Sequence, residues 1–467
     1  MLCADLIRTV WLCFVLGGLL TACDSQQVNP EQHKPSVYFT IPDYQISEKH
    51  AGGDTTVYLT SRAAYSAPAS HLSVSERLDY FSGHSFFHNP WVRAPSTTKA
   101  RDGLGPLFNT NSCTACHIRN GRGSVQQQSL VLRLSQAAGD HYVGDSLYGE
   151  QLQHRAVLGV KPEGQWTLEW REYKMVQTGG GVVSLRAPHL SISHWFLGQA
   201  DRSTSWSARI APAMIGLGLL EAIPAKQILD NAQQQHRRNS SIAGRPSWLK
   251  RQGESRSLGR FGWKALQSSV RLQSAKAFSQ DLGLTSLEYP QLNCTPRQVQ
   301  CVQNRAGTEL EVSHTIMSAV SFYASQGAVP APRNTQTAAF KRGRGQFYLA
   351  GCAQCHRPHW RTASIPGLGV QDIWPYTDLL LHDMGEGLAA SAGEGYVGGN
   401  EWRTPPLWGV GLAKVVNPNT GYLHDGRARN LLEAVLWHGG EAGASRQAVR
   451  LMKVEDREDL LYFLQSL

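Results

Sequence analysis

The chain has 467 residues, and 45 Lys and Arg against 36 Asp and Glu give a formal charge of +9. At about 100–200 residues per domain this length accommodates roughly two to four domains, each able to bury a core. With 41% hydrophobic and only 17% charged residues, the composition excludes a disordered chain, and the scattered Lys and Arg form no basic stripe interleaved with aromatics, so nucleic acid is not an expected partner.

The N-terminus sets the expected compartment. Arg8 precedes an apolar run from Val10 to Leu20 that is too short for a membrane span, and residues 1–22 read as a signal peptide. The ending Leu20-Thr21-Ala22-Cys23 resembles the bacterial lipoprotein box, in which the cysteine is lipidated and becomes the mature N-terminus, and Asp24 resembles an inner-membrane retention signal. The expected place is therefore the periplasmic side of a bacterial membrane, anchored through Cys23, the inner membrane rather than the outer. Cys3 and Cys13 leave with the signal and Cys23 takes lipid, which leaves Cys113, Cys116, Cys294, Cys301, Cys352 and Cys355 in an oxidising compartment.

Residues 23–70 read as a polar tether and N-terminal extension. Val74, Leu78 and Phe81 at i, i+4 and i+7 predict a helix with those residues on its apolar face. Leu130 to Leu134 and Trp166 to Trp170 have strand character, with Gly179-Gly180-Gly181 as a turn, so a β-containing insertion is expected over about 125–210. The basic stretch from His236 to Arg260 reads as a solvated loop. A helix carrying Leu310, Val312, Ile316, Met317, Val320 and Phe322 stops before Val329-Pro330-Ala331-Pro332, which marks a boundary between a first domain at 71–328 and a second at 329–467. Leu460, Leu461, Leu464 and Leu467 predict a terminal amphipathic helix. The pattern of helix, cysteine motif and closing helix occurs twice, and the expected fold class is mainly α, two cytochrome c-like domains with the β insertion in the first.

Two motifs carry the chemistry. Cys113-Thr114-Ala115-Cys116-His117 and Cys352-Ala353-Gln354-Cys355-His356 are both C-x-x-C-H, in which two thiols can form thioethers to the porphyrin vinyls and the adjacent His117 or His356 can ligate the iron. With nine Cys and seventeen His, chance supplies roughly 0.006 such pentapeptides. A zinc site needs four closed ligands and a thioredoxin-like motif needs a βαβ frame, and neither pattern is present. Cys294 and Cys301, seven positions apart, are expected to form a local disulfide. Leu431, Ala434, Val435 and His438 share one face of a helix that ends at Gly439-Gly440, which makes His438 either a distal ligand of the second haem or a satisfied core histidine.

Five elements carry a family resemblance: Gly103-Leu104-Gly105-Pro106-Leu107-Phe108, Gly259-Arg260-Phe261-Gly262-Trp263-Lys264-Ala265, Tyr376-Thr377-Asp378-Leu379 through His382-Asp383-Met384-Gly385, Trp402-Arg403-Thr404-Pro405, and Trp437-His438-Gly439-Gly440-Glu441. From about Leu72 to Leu467 the chain resembles the bacterial di-haem oxidoreductase family, often labelled thiol oxidoreductases, within the di-haem cytochrome c peroxidase superfamily. The resemblance implies a sixth ligand of the second haem about fourteen residues after His424, which is His438, with Met384 and Met452 as alternatives. It implies a labile histidine on the first haem about sixteen residues after His117, where Arg133 stands, so an open first site is expected. It also implies a proton-moving glutamate, for which Leu219-Leu220-Glu221-Ala222-Ile223-Pro224 offers Glu221, and His382 with Asp383 is a further candidate for a haem pocket.

The pattern departs from the superfamily in two places. Its inter-haem calcium site uses a Thr and a Pro where this chain has Asn419 and Gly421, which puts calcium in doubt, and the loop before Gly244-Arg245-Pro246 is basic through Arg237 and Arg238. The expected function is a membrane-anchored di-haem c oxidoreductase in which the second haem passes electrons to a reactive first haem that reduces peroxide or a similar oxidant. The alternative is an electron-transfer cytochrome without peroxidase activity, linked to iron uptake. Expected partners are a small redox donor protein or a quinol-linked donor, and an iron-uptake protein of the imelysin type.

Overall fold

Each C-x-x-C-H motif follows a capped helix that crosses a second helix through a glycine. In the first unit Ser73 and Glu76 form a reciprocal capping box, Glu76 Oε2 accepting from the Ser73 N–H at 2.8 Å, and the helix Val74–His88 runs until Asn89 precedes Pro90. At Gly83 a Cβ would overlap the Ala319 carbonyl oxygen of the helix His314–Ser325, so only glycine lets these backbones touch. In the second unit Thr337 Oγ1 accepts from the Phe340 N–H at 3.2 Å and starts the helix Ala338–Leu349, whose Gly343 meets the Asp459 carbonyl of the terminal helix Val454–Ser466 in the same way. The expected twofold pattern of helix, motif and closing helix is thus present.

The computed structural model describes residues 41–125, 129–178, 181–238, 241–250, 255–304, 309–391 and 393–467; the expected signal peptide, Cys23, Asp24 and the start of the tether lie outside them. Among the described residues no helix is long and apolar enough to cross a membrane.

The helix Val74–His88 forms where expected but turns the other way. Val74, Leu78 and Phe81 are 80%, 67% and 55% exposed, while Tyr80, Gly83 and Phe87 are buried against the crossing helix. The contact through Gly83 decides which face is inside, and an apolar count at helical spacing cannot see a glycine as a contact residue.

Both predicted domains feed one apolar core, in which Tyr80, Phe278 and Tyr323 join Phe340, Phe347, Tyr376 and Phe463. The boundary prolines are inside it: Val329–Pro330 pairs in parallel with Thr56–Val57, and Val329 is fully buried. Glu48 and Arg344 close the same seam with a buried ion pair at 2.7 Å.

The β insertion centres on Leu130–Ala138, antiparallel between Ser205–Ile210 and His141–Val143, with Leu130, Leu132 and Leu134 buried on one face. Gly164–Val176 pairs along its whole length with Val182–Trp195, and Gly179 and Gly180 of the expected turn lie outside the described residues. The far part of this hairpin rests on the second half, where Arg186 Nε donates to the Arg427 carbonyl at 3.0 Å and Arg450 Nε to the Val176 carbonyl at 2.8 Å.

Short ladders continue in the second half, Trp360–Arg361 with Asp372–Ile373 and Leu381–Asp383 with Glu401–Arg403. With 33% helix and 21% strand in several small sheets, the chain is not plainly a mainly α pair of cytochrome c-like domains, and that expectation is corrected. Ladders of two or three residues are too short to show a period of two in the sequence. Arg260 also departs from the expected solvated loop: it is buried and donates to the carbonyls of Leu220 at 3.0 Å and Glu221 at 2.9 Å.

Gly343→Ala is expected to destabilise the protein by about 1–3 kcal/mol through overlap with the Asp459 carbonyl, whereas Gly443→Ala, with open space at its Cβ, leaves stability unchanged or slightly raised. Urea unfolding of both variants beside the wild type checks this.

Candidate functional site

Two neighbouring cavities begin at the two motifs. One of about 490 Å³ is lined by Cys113, Cys116 and His117, and one of about 180 Å³ by Cys352, Cys355, His356 and His438. The motifs fold alike: each begins with a 3₁₀ turn closed by the second cysteine's N–H, and the histidine N–H that follows donates to the first cysteine's carbonyl, four residues back, at 2.9 Å. Burial pushes the thiols of Cys113, Cys116 and Cys352 up to about 12 and raises that of Cys355, so all four stand as neutral thiols.

The histidines are held by backbone. His117 Nδ1 donates to the Pro212 carbonyl at 2.9 Å, His356 Nδ1 to Tyr376 at 3.0 Å, and His438 Nδ1 to Ala434 at 2.8 Å. This leaves Nε2 as the basic nitrogen of each ring, the arrangement that orients an imidazole toward a metal. Burial lowers His117 and His356 to about 4 and moves His438 below its ordinary value, so the rings are neutral. The centroids of His356 and His438 lie 6.4 Å apart. Two imidazole–metal bonds of about 2 Å plus about 1.1 Å from each donor nitrogen to its ring centre add to about 6.2 Å, so the separation of these rings suits one metal atom between them. Donor set, cavities and spacing fit haem iron.

Arg122, Trp263, Arg403, Pro405, Pro406 and Val410 line both cavities and form the wall between them. Among the described residues lining the first cavity, His117 is the one histidine. Its polar wall holds Arg133, 3.2 Å from Glu394 and 3.3 Å from Glu150, and Arg209, 2.8 Å from Glu394. Lys264 Nζ is buried in the same wall, donating to the carbonyls of Gly398 at 2.8 Å and Gly399 at 2.9 Å and lying 3.6 Å from the Trp402 ring centre. Burial raises the carboxyl of Asp281, which also lines this cavity.

In the second cavity His382 lies between two carboxylates, donating from Nε2 to Asp378 at 2.8 Å and from Nδ1 to Glu441 at 2.6 Å. Burial opposes its charge, but Asp378 and Cys355 together, through charge and hydrogen bonding, outweigh it and raise His382 well above the usual histidine range. Its partner is therefore Asp378; Asp383 instead accepts from the Gly385 N–H at 2.7 Å. His424 stacks on Trp402 with centroids 3.7 Å apart, and Met384 lines this cavity while Met452 does not.

Glu221 lies elsewhere. It ends the short helix Leu217–Glu221, is exposed, accepts from the Val270 N–H at 2.7 Å and is not among the residues lining the first cavity. An apolar run in sequence suggested a buried carboxylate, but the glutamate points away from its neighbours Leu219 and Leu220, which are buried. Cys294 and Cys301 are joined in a disulfide with Cα atoms 5.9 Å apart. Trp263 and Arg403 were not singled out from the sequence, although both stand in the recurrent elements; for Arg122 the sequence carries no such signal.

The family model described as "Di-haem oxidoreductase, putative peroxidase" matches residues 45–138 and 143–467, and the chain belongs to the di-haem oxidoreductase family. No curated protein matches it. A solved structure of Kuenenia stuttgartiensis hydrazine synthase, pressurized with 20 bar xenon, shares 13% identity over 93% of this chain and 100% of its own, with a TM-score of 0.31.

The wall behind His424 gives a pH prediction. Asp425 is fully buried, which opposes ionisation, yet His424 and the Arg427 guanidinium, 2.7 Å away, hold its carboxyl at about 2. A depressed folded value contributes stability above the ordinary Asp range and loses it as pH falls toward 2. The stability gap between wild type and Asp425→Asn is expected to shrink by about 2 kcal/mol between pH 5 and pH 2, measured by urea unfolding.

Proposed function

We propose that the chain is a periplasmic di-haem c oxidoreductase that takes electrons at its second site and reduces peroxide or a similar oxidant at its first. The observation that carries this reading is the asymmetry of the two cavities around a common wall: His356 faces His438 across a metal-sized gap, while His117 is the one histidine lining the first. When bound, the two irons supply one-electron redox chemistry, and an iron with a free sixth position is able to take substrate.

The chain's own residues divide the remaining work. Cys113 and Cys116, and Cys352 and Cys355, would hold each haem through thioethers to its vinyl groups. The carbonyls of Pro212, Tyr376 and Ala434 set the tautomer and direction of His117, His356 and His438. Arg133 stands at the spacing where the superfamily resemblance puts a labile histidine, and it is tied to Glu150 and Glu394. Trp263, anchored by its indole N–H to the Ile210 carbonyl at 2.8 Å, is the aromatic group on the wall between the sites. Glu221 takes no part, being exposed and engaged with Val270. Anchoring through Cys23 on the inner membrane and a small donor protein or quinol-linked donor complete the reading.

In the purified ferric protein one low-spin and one high-spin haem are expected, with peroxide changing only the high-spin signal. His438→Ala is expected to convert the low-spin signal to high-spin while two haems per chain remain attached, and Glu221→Gln to leave peroxide turnover unchanged. Two low-spin haems that ignore peroxide would leave an electron-transfer cytochrome instead.

A further inference from the structure

The segment 418–423, whose Tyr422 and Leu423 line the second cavity, presents its carbonyls to cations that belong to the chain. Arg122 Nε donates to the Gly421 carbonyl at 3.0 Å and Nη2 to the Leu423 carbonyl at 2.6 Å. Lys414 Nζ donates to the Pro418 carbonyl at 3.3 Å and to that of Thr420. The irregular stretch around Arg122 is tied back in turn: Asn417 Nδ2 donates to the Arg122 carbonyl at 2.9 Å and Thr420 Oγ1 to that of Gly123 at 2.6 Å.

A convergence of carbonyls suits a hard divalent cation, which needs six to eight oxygens and usually carboxylates among them. Here those oxygens are already satisfied, and residues 418–423 contain no acid. The next carboxylate, Asp425, is engaged by Arg427 at 2.7 Å. Among the described residues no group of three or more His, Cys, Asp or Glu could hold a metal ion. The residues therefore do not fit the calcium that the superfamily resemblance would place at Asn419 and Gly421.

The position of Arg122 gives it reach to both sites. Its side chain lines both cavities, and its guanidinium carbon lies 5.4 Å from the Trp263 ring centre and 5.9 Å from that of Tyr422. Burial lowers its pKa to about 10, so the group stays cationic at neutral pH.

We propose that Arg122, assisted by Lys414, is the resident cation between the two haem sites, holding the 418–423 carbonyls in place of calcium and lending its positive charge to both irons. The inference rests on the di-haem reading above. A fixed positive charge between two redox centres stabilises the reduced form of each, so it raises both midpoint potentials, more strongly in a buried site than in water. Unlike a bound ion, it cannot be removed by a chelator.

The test uses the full holoprotein: calcium content by plasma mass spectrometry, and midpoint potentials of both haems by optical redox titration with and without EGTA and added calcium. The wild type is expected to hold far less than one calcium per chain and to keep its midpoints in EGTA. Both midpoints shift negative in Arg122→Gln and stay near wild type in Arg122→Lys, which keeps the charge. One calcium per chain in the wild type, midpoints that move with EGTA, or an Arg122→Gln protein with unmoved midpoints overturns the proposal. Should Arg122→Gln fail to fold, the wild-type calcium content and EGTA titration still decide. Fewer than two haems per chain is failure of the di-haem reading, a result that the metal analysis distinguishes.

Discussion

A backbone carbonyl accepting from the Nδ1 of a buried imidazole is the contact on which this molecule depends. It occurs at His117, His356 and His438 within a spread of 0.2 Å, from 2.8 to 3.0 Å. Each such bond settles the tautomer, so a neutral ring keeps its Nε2 lone pair available to a metal. Burial drives the same rings to neutrality, which removes the competition from a proton. Pro212 comes from the chain after the β insertion, 95 residues from His117, and Tyr376 from a loop 20 residues after His356, whereas Ala434 lies one helical turn before His438.

Charge in the interior is organised around this requirement. Lys264 is caged by carbonyls and Arg133 is shared between two carboxylates, while His382 is clasped by Asp378 and Glu441. Buried ions of this kind survive only when their hydrogen-bonding capacity is met, and removing one partner is costly. They cluster on the cavity walls, where they give a rigid polar frame to a cofactor that itself carries two propionates. The hairpin Gly164–Val176 and Val182–Trp195 extends that frame by resting on the residues around Arg427 and Arg450.

Much of the site was legible beforehand because its chemistry is local in sequence. C-x-x-C-H puts two thiols and an imidazole on one turn, and the helix face of Leu431, Ala434, Val435 and His438 lay open to inspection. The fold was less legible. Val74, Leu78 and Phe81 looked like a core face and lie in solvent, because Gly83 makes the helix contact. Strand content was underestimated because ladders such as Leu381–Asp383 with Glu401–Arg403 are three residues long. Glu221 sat in an apolar string whose other members are buried, and one rotation of a short helix places its carboxylate outside.

By itself the sequence determined the two C-x-x-C-H motifs, with their thiols and adjacent histidines, and the twofold plan of capped helix, motif and closing helix. All of these are encoded in short windows, where covalent neighbours are spatial neighbours. Only the tertiary structure decided that His438 stands 6.4 Å from His356, that Trp263 and Arg403 form the wall between the sites, and that Arg122 occupies the carbonyls of Gly421 and Leu423. These pairs are separated by up to 301 residues. Which distant groups meet is set by packing of the whole core and by the need to satisfy every buried polar atom, conditions that no single stretch of sequence contains.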